Sequence, residues 1–155
     1  MLRECTDFGK KTLFDNISTS RSFPNGLLAE VILTLTDNCN RKCNYCPYGN
    51  KYASPHANRN LSIEVLDKIC NDLGNSFDGY ISFSGFGEPT LNAALNDILE
   101  KVANSCKNAK ILLHTNGDNV EMLCNLPYLR QLDVILSMHS KLKNESLQCL
   151  KALKN

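Results

Sequence analysis

The chain has 155 residues, enough for one domain with a buried hydrophobic core. Its 17 lysine and arginine residues nearly balance its 16 aspartate and glutamate residues, and a net charge of +1 argues against binding to nucleic acid or to an anionic membrane surface. The longest apolar stretch, around residues 27–35, is too short to span a membrane, and the N-terminus lacks the apolar segment of a secretory signal. We therefore expect a cytoplasmic protein whose thiols stay reduced.

Strand and helix patterns alternate along most of the chain. Residues 1–26 are polar and predict an irregular leader, and a core domain is expected over residues 27–155. The predicted strands cover residues 29–36, 80–84, 110–114 and 132–137. The predicted helices begin near Ser62, near Leu91, at Asp118 and near Asn144. Such alternation predicts an α/β fold with a parallel sheet, in which functional side chains gather where the strands end.

Several helix boundaries have local signals. Ser62 is suited to be the N-cap of the first helix, and Gly74 is suited to end it. The apolar face of that helix is expected to carry Val65, Leu66, Ile69, Cys70 and Leu73. Asp118, with Glu121 three residues later, predicts a capping box for a short third helix that stops before Pro127.

A cysteine-rich segment directly follows the first predicted strand. Cys39, Cys43 and Cys46 have the spacing C-x3-C-x2-C. Three thiolates are one ligand short of a structural zinc site, but they can hold three irons of a [4Fe–4S] cluster and leave the fourth iron open. Two alternatives are a Cys3His zinc site that includes His56, and buried or disulfide-bonded cysteines. The gap from Cys46 to His56 is long for zinc, and disulfides need an oxidising compartment.

The cysteine spacing, with Tyr45 before the third cysteine, resembles the signature of the radical S-adenosylmethionine superfamily. The resemblance implies that Cys39, Cys43 and Cys46 bind a [4Fe–4S] cluster whose open iron is chelated by S-adenosylmethionine. Tyr45 would lie against the adenine. One electron, from a donor such as flavodoxin or ferredoxin, would cleave S-adenosylmethionine to methionine and a 5′-deoxyadenosyl radical. That radical would take a hydrogen atom from the substrate.

A glycine-rich turn follows the second predicted strand. Its residues Gly85, Phe86, Gly87, Glu88 and Pro89 resemble the second motif of the same superfamily, Gly-Gly-Glu-Pro, with phenylalanine at the first glycine position. The resemblance implies that this turn holds the ammonium group of S-adenosylmethionine. Glycine exposes backbone carbonyls for such contacts, and a carboxylate is a charge-assisted acceptor. The phenylalanine leaves the backbone role intact but alters the expected geometry at position 86.

Polar residues also follow the third and fourth predicted strands. By resemblance, Ser137 would bind the ribose hydroxyls and Asn116 would line the cofactor pocket, although a polar strand end and a turn residue explain them equally well. His114 and His139 lie at strand ends, where they are candidates for proton transfer or ordinary hydrogen-bonded histidines. No catalytic residue is assigned.

The other cysteines are interpreted as structural. Cys70, Cys106 and Cys124 each follow an apolar residue by four positions, so they are expected to be small hydrophobic residues on helix faces. Cys5 and Cys149 lie near the two ends of the chain. These cysteines do not form a second group that would indicate an auxiliary cluster.

The number of strand–helix units departs from the superfamily pattern. The family barrel normally has six units, whereas this sequence predicts four, with helices outside a partial TIM-type barrel. We expect that downstream residues or a partner complete the barrel, and that residues 1–155 alone carry a cluster but cleave S-adenosylmethionine slowly. The substrate is expected to be a peptide or a small metabolite. Alternatives are a noncatalytic iron–sulfur protein for electron transfer or interaction, and a zinc-binding interaction module.

Overall fold

A computed structural model of the protein describes residues 29–46 and 59–137. Its strands form one parallel sheet in the order β1-β2-β3-β4, and they are β1 (Glu30–Leu33), β2 (Tyr80–Phe83), β3 (Lys110–Thr115) and β4 (Leu132–Leu136). Three helices connect them, α1 (Ile63–Leu73), α2 (Leu95–Ser105) and α3 (Val120–Cys124). A short 3-10 turn, Pro89–Leu91, precedes α2. The predicted α/β fold with a parallel sheet is confirmed.

Some predictions lie outside the described residues. They are the leader over residues 1–26, the helix near Asn144, and the roles of Cys5, His56, His139 and Cys149. In the part of the chain that is described, no helix is both long enough and apolar enough to cross a membrane.

The first strand is shorter than predicted because its last residues acquire a different neighbour. Leu35 and Thr36 are buried, yet they lie beyond the pairing with β2. Thr36 instead forms an antiparallel bridge with Asn60, and the Leu61 amide donates to the Leu35 carbonyl over 3.0 Å. The chain therefore leaves the sheet after Leu33 and continues through the cysteines. At Asn60 it lies beside Thr36 again.

The two faces of the sheet differ in character. Because side chains alternate along a strand, one face is apolar and packs against the helices. Its buried strand residues are Leu33, Ile81, Phe83, Ile111, Leu113 and Leu136, and α2 covers them with Leu95, Ile98, Leu99 and Val102. The opposite face, called the inner face here, contains Glu30, Ser82 and His114. The hydrophobic core thus lies between sheet and helices, whereas the inner face combines these polar side chains with apolar ones such as Ile32 and Leu112.

The predicted boundaries of α1 are confirmed. The Ser62 hydroxyl accepts a hydrogen bond from the Val65 amide at 3.3 Å, and the Gly74 amide donates to the Cys70 carbonyl at 2.9 Å. The predicted apolar face was partly wrong, because Val65 is 48% exposed while Leu66 and Cys70 are buried. A run of apolar residues at helical spacing spans a wider arc than the surface that the sheet covers.

The N-cap of the third helix lies one residue later than predicted. This N-cap is Asn119, whose side chain accepts from the Met122 amide at 3.3 Å. Asp118 is held elsewhere, because its carboxylate binds Arg41. Cys70 and Cys106 are buried as predicted, but Cys124 is exposed. The side chain that α3 buries is Leu123.

Candidate functional site

Three loops meet at the carboxyl edge of the sheet, where parallel strands place their following segments side by side. We name them the cysteine loop (residues 37–46, after β1), the glycine loop (residues 84–88, after β2) and the asparagine loop (residues 116–119, after β3). Hydrogen bonds link each of the three to at least one of the others. The predicted gathering of motifs at one edge is therefore observed for these three loops.

The base of the cysteine loop is closed by a pair of residues. The Asp37 amide donates to the Arg59 carbonyl at 3.0 Å, and the Arg59 amide donates to Asp37 Oδ1 at 2.8 Å. The Arg59 guanidinium, which is 79% exposed, adds a bond to Asp37 Oδ2 at 3.1 Å. The backbone amide and carbonyl of Arg59 hold Asp37, the first residue of the cysteine loop, whereas the exposed guanidinium adds little to this anchor.

Cys39, Cys43 and Cys46 are half-buried free thiols. The Cys46 amide donates to the Cys43 carbonyl at 3.0 Å, which places these two cysteines on one turn. The Arg41 amide donates to Cys39 Sγ at 3.4 Å. Burial raises the pKa of the Cys39 thiol, and that hydrogen bond partly opposes the effect.

Among the described residues, the three thiols do not form a site for a single metal ion, and His56 lies outside those residues. Within residues 29–46 and 59–137, no three His, Cys, Asp or Glu side chains are arranged to hold one metal ion. A structural zinc site needs ligands that converge on one point. An iron–sulfur cluster makes a different demand, because each thiolate binds its own iron atom. Three soft sulfur ligands on one half-buried loop, beside a backbone N–H donor, fit that second pattern.

The glycine loop touches the cysteine loop through the backbone. The Glu88 amide donates to the Asn38 carbonyl at 2.7 Å. Gly87 has a φ of +73°, and a Cβ at this position would lie 2.1 Å from the Thr36 carbonyl oxygen and 2.7 Å from that of Asn38. Only glycine permits this approach. Phe86, at the neighbouring position, is 43% exposed.

The Glu88 carboxylate lies beneath these loops, with 3% of the residue exposed. Its Oε1 accepts hydrogen bonds from the Thr90 amide (3.2 Å), the Thr90 hydroxyl (2.7 Å) and the Thr115 hydroxyl (2.6 Å). Its Oε2 accepts from the Asn116 amide at 2.7 Å. Buried charge is costly unless it is satisfied in this way. Glu88 therefore ties the glycine loop to the end of β3 and to the asparagine loop.

Asn116 uses all its polar atoms within the protein. Besides its amide bond to Glu88, its Nδ2 donates to Asn40 Oδ1 at 2.7 Å, and its Oδ1 accepts from the Asp118 amide at 3.0 Å. Its carbonyl accepts from Arg41 Nη2 at 3.0 Å. The residue thus joins the cysteine and glycine loops, which makes it a structural centre of the site.

The remaining predicted site residues surround this centre. Tyr45 is 62% exposed on the cysteine loop, and Pro89 is buried at the start of the 3-10 turn. Ser137 is half-buried just after β4, where its amide donates to the Thr115 carbonyl at 2.8 Å. Its hydroxyl makes no hydrogen bond to the described parts of the chain.

Sequence reasoning missed four residues that build the site, and they are Arg41, Thr90, Thr115 and Asp118. Arg41 and Asp118 are 77 positions apart, so no local pattern connects them. Two opposite charges in loops at the same sheet edge were the available signal. Thr115 could have been noticed as a polar residue that ends an apolar strand.

His114 lies half-buried on the inner face. Burial lowers the pKa of its imidazole below the usual value of 6.5, and the nearby Glu30 carboxylate opposes this shift. The Ser82 hydroxyl donates to the same Glu30 carboxylate. A neutral imidazole is therefore favoured in the folded protein.

The lowered pKa of His114 predicts a pH dependence of stability. Below the unfolded-state pKa of 6.5, His114 binds a proton in the unfolded chain more readily than in the folded chain. The free energy of unfolding therefore falls as the pH decreases through this value. His114→Gln should remove this contribution. Its stability relative to wild type, measured by urea unfolding, should rise as the pH is lowered from about 7.5 to about 5.5. Parallel pH profiles for the two proteins would contradict the assignment.

Comparison with protein families gives one match that covers most of the chain. The family described as the Radical SAM superfamily matches residues 33–140. Curated relatives include GTP 3',8-cyclases, one from Haemophilus ducreyi (34% identical over 90 residues) and one from Vibrio parahaemolyticus (34% over 89 residues). The first match covers 57% of this chain and 26% of the relative, and the second covers 55% and 25%. The chain thus spans about a quarter of the length of these relatives.

Solved structures show a similar fold. A crystal structure of BtrN in complex with AdoMet and 2-DOIA has a TM-score of 0.60 and 24% identity, with 76% of this chain and 49% of BtrN covered. An open conformation of BtrN gives a TM-score of 0.54, with 83% and 47% covered and 23% identity. At these identities the likeness concerns the fold alone. The four strands and their helices correspond to part of a partial TIM-type barrel.

Proposed function

Because the chain belongs to the radical S-adenosylmethionine superfamily, we propose that it is the N-terminal part of the catalytic barrel of an enzyme that cleaves S-adenosylmethionine reductively. Members of this superfamily are enzymes that use a [4Fe–4S] cluster and S-adenosylmethionine. The observation that carries the proposal is the cysteine loop itself. It carries the C-x3-C-x2-C thiols at the carboxyl edge of a parallel sheet, and Asn38 and Asn40 of the same loop are hydrogen-bonded to the glycine and asparagine loops.

Cys39, Cys43 and Cys46 are the proposed cluster ligands. When the cluster and S-adenosylmethionine are bound, they supply a one-electron cleavage that yields methionine and a radical able to abstract hydrogen from a substrate. The protein's part is to hold three thiolates on a partly buried loop and to leave one iron unliganded. The electron would come from a protein donor such as flavodoxin or ferredoxin.

The glycine loop is the proposed site for the ammonium group of S-adenosylmethionine. Oε2 of Glu88 accepts one hydrogen bond within the protein, so it retains a lone pair for an ammonium donor. Its buried negative charge also favours a cation above the loop. Gly85, Gly87 and Pro89 would shape the backbone around that group.

Three further residues complete the proposed cofactor site. Tyr45 is exposed enough for its ring to stack on the adenine, and Ser137 has a hydroxyl available for the ribose. Asn116 would set the shape of the pocket, because its polar atoms already bind protein groups.

The proposed substrate is a small metabolite or a peptide. The curated relatives named above act on GTP by their names, but the matched stretch covers only 26% of the first of them. The region that matches the family, residues 33–140, contains the cysteine, glycine and asparagine loops, to which we assign the cofactors. Substrate specificity would then depend on residues outside this region.

Product analysis tests the proposed function. Anaerobically reconstituted protein is incubated with S-adenosylmethionine and dithionite, and 5′-deoxyadenosine and methionine are measured by mass spectrometry. We expect both products in equal amounts, and only when both reductant and cluster are present. A protein that holds a stable cluster but forms neither product, even over incubations long enough to detect slow cleavage, would support the noncatalytic electron-transfer or interaction role of residues 1–155 and would refute their enzymatic one.

A further inference from the structure

The cysteine and asparagine loops are joined by a two-point ion pair. Arg41 Nε donates to Asp118 Oδ2 at 2.7 Å, and Arg41 Nη2 donates to Asp118 Oδ1 at 2.7 Å. The same Nη2 also reaches the Asn116 carbonyl at 3.0 Å. The guanidinium fork thus binds a carboxylate and a backbone carbonyl of one loop at the same time.

This pair differs from an ordinary surface ion pair. The Arg41 and Asp118 side chains are only 14% and 28% exposed, and both bonds are short. A planar guanidinium bound at two points fixes orientation as well as distance, which a lysine ammonium cannot do. Two charges withdrawn from water carry a desolvation cost, so the pair contributes more to geometry than to stability.

The position of Arg41 connects this ion pair to the cysteines. Arg41 lies between the first two cysteines, and its own amide donates to Cys39 Sγ at 3.4 Å. The adjacent Asn40 is held by Asn116 at 2.7 Å. The backbone between Cys39 and Cys43 is therefore anchored by two neighbouring side chains to a loop 77 residues away.

We propose that Arg41 and Asp118 are positioning residues, which hold the cysteine loop in its ligand-ready conformation and whose opposite charges offset each other beside the cluster. The proposal rests on the assignment of Cys39, Cys43 and Cys46 as cluster ligands. Neither Arg41 nor Asp118 is assigned a contact with the reacting atoms. Both act through the loop and through their charges.

The charges of Arg41 and Asp118 should shift the reduction potential of the cluster in opposite directions. With Asp118 neutralised, the guanidinium loses its carboxylate partner, so the charge beside the cluster becomes more positive and the reduction potential should rise. With Arg41 neutralised, the carboxylate remains and should lower the potential. A residue pair that only stabilised the fold would not shift the potential in opposite directions.

Four variants of the full chain separate geometry from charge. Asp118→Asn and Arg41→Gln each remove one charge, whereas Arg41→Lys keeps the charge but loses the fork. Arg59→Gln is the matched control, because it breaks an ion pair with Asp37 at the base of the same loop, where the guanidinium is 79% exposed. Iron content after anaerobic reconstitution and the midpoint potential from a redox titration are measured for each.

The first three variants should all retain less iron than wild type after incubation with a chelator, and Arg59→Gln should match wild type. The midpoint potential should rise for Asp118→Asn, fall for Arg41→Gln and stay near the wild-type value for Arg41→Lys. Unchanged iron retention in all three variants, or shifts of the same sign for the two neutralised variants, would overturn the proposal. If Asp118→Asn fails to fold, Arg41→Lys against Arg59→Gln still tests the geometric part.

A measurement on the apoprotein keeps this inference separate from the proposed function. The alkylation rates of Cys39, Cys43 and Cys46 by iodoacetamide are followed by mass spectrometry, with the buried Cys106 as internal reference. Arg41→Lys and Asp118→Asn should accelerate alkylation of the three loop cysteines by about fivefold to tenfold, and Arg59→Gln should not. Rates equal to wild type would refute the positioning role. If wild type takes up no cluster, the ligand assignment fails, but the alkylation result still decides whether the pair orders the loop.

Discussion

Replacing Cys39, Cys43 and Cys46 together with alanine should abolish cluster binding. The variant should show no brown absorbance near 400 nm, roughly where thiolate-to-iron charge transfer of such clusters falls, and no bound iron after anaerobic reconstitution. The reason is that the three thiols are the half-buried free cysteines on the cysteine loop, and they supply every thiolate that the proposal assigns. The measurement is iron content per chain, together with the absorption spectrum.

Cys106→Ala is the control for this triple variant. Cys106 is buried at the end of α2, at the amino edge of β3 and so at the opposite end of the sheet from the cysteine loop. The substitution Cys106→Ala removes a thiol but leaves the proposed ligands in place, so the iron content of this variant should equal that of wild type. Undiminished iron in the triple variant would show that the cluster assignment is wrong.

Replacing Glu88 with glutamine should have the next largest effect, and it should affect both stability and cofactor binding. The amide cannot accept all four hydrogen bonds, and its NH2 group would meet a donor such as the Asn116 amide. Leaving buried donors unsatisfied should lower the free energy of unfolding by about 2–4 kcal/mol. Loss of the charge should weaken S-adenosylmethionine binding by about 1–3 kcal/mol.

Two measurements separate these effects of Glu88. Urea unfolding gives the stability, and calorimetry on cluster-loaded protein gives the affinity for S-adenosylmethionine. Glu100→Gln is the matched control, because Glu100 is exposed on α2 and its substitution should change stability by less than about 0.5 kcal/mol. If Glu88→Gln is as stable as wild type, the four hydrogen bonds to Glu88 do not contribute the expected stability. If its affinity is also unchanged, the ammonium assignment fails.

The parts of the fold that were predictable are those with local signals. Ser62 and Gly74 mark the ends of α1 because capping depends on residues within one turn of each other. The strand sequence and the cysteine spacing likewise needed only short windows, and together they placed three loops at one sheet edge. Fold class and the gathering of these loops followed from that order alone.

The parts that were missed depend on contacts between distant segments. Asp118 looked like a helix cap because aspartate commonly fills that position, but a guanidinium 77 residues earlier binds it instead. Thr36 looked like part of a strand because of the apolar run before it, whereas Asn60 takes it as a partner. The motif around Glu88 suggested a ligand contact, but it did not indicate the four hydrogen bonds that Glu88 also accepts from the protein. Sequence patterns give a residue's chemistry, but they do not say which distant group uses it.

The backbone contact at Gly87 bears on how related sequences are expected to diverge. A side chain at position 87 would collide with the carbonyls of Thr36 and Asn38, so the constraint on this glycine comes from the other motif. Position 86, in contrast, accepts a side chain, because Phe86 fits there with 43% of its surface exposed. Relatives that keep this pairing of loops should therefore tolerate a side chain at the first glycine position of Gly-Gly-Glu-Pro and retain the second glycine. A search pattern that demands both glycines of Gly-Gly-Glu-Pro would overlook this chain, which has phenylalanine at the first of them. A pattern that combines the second glycine with the cysteine spacing would find it.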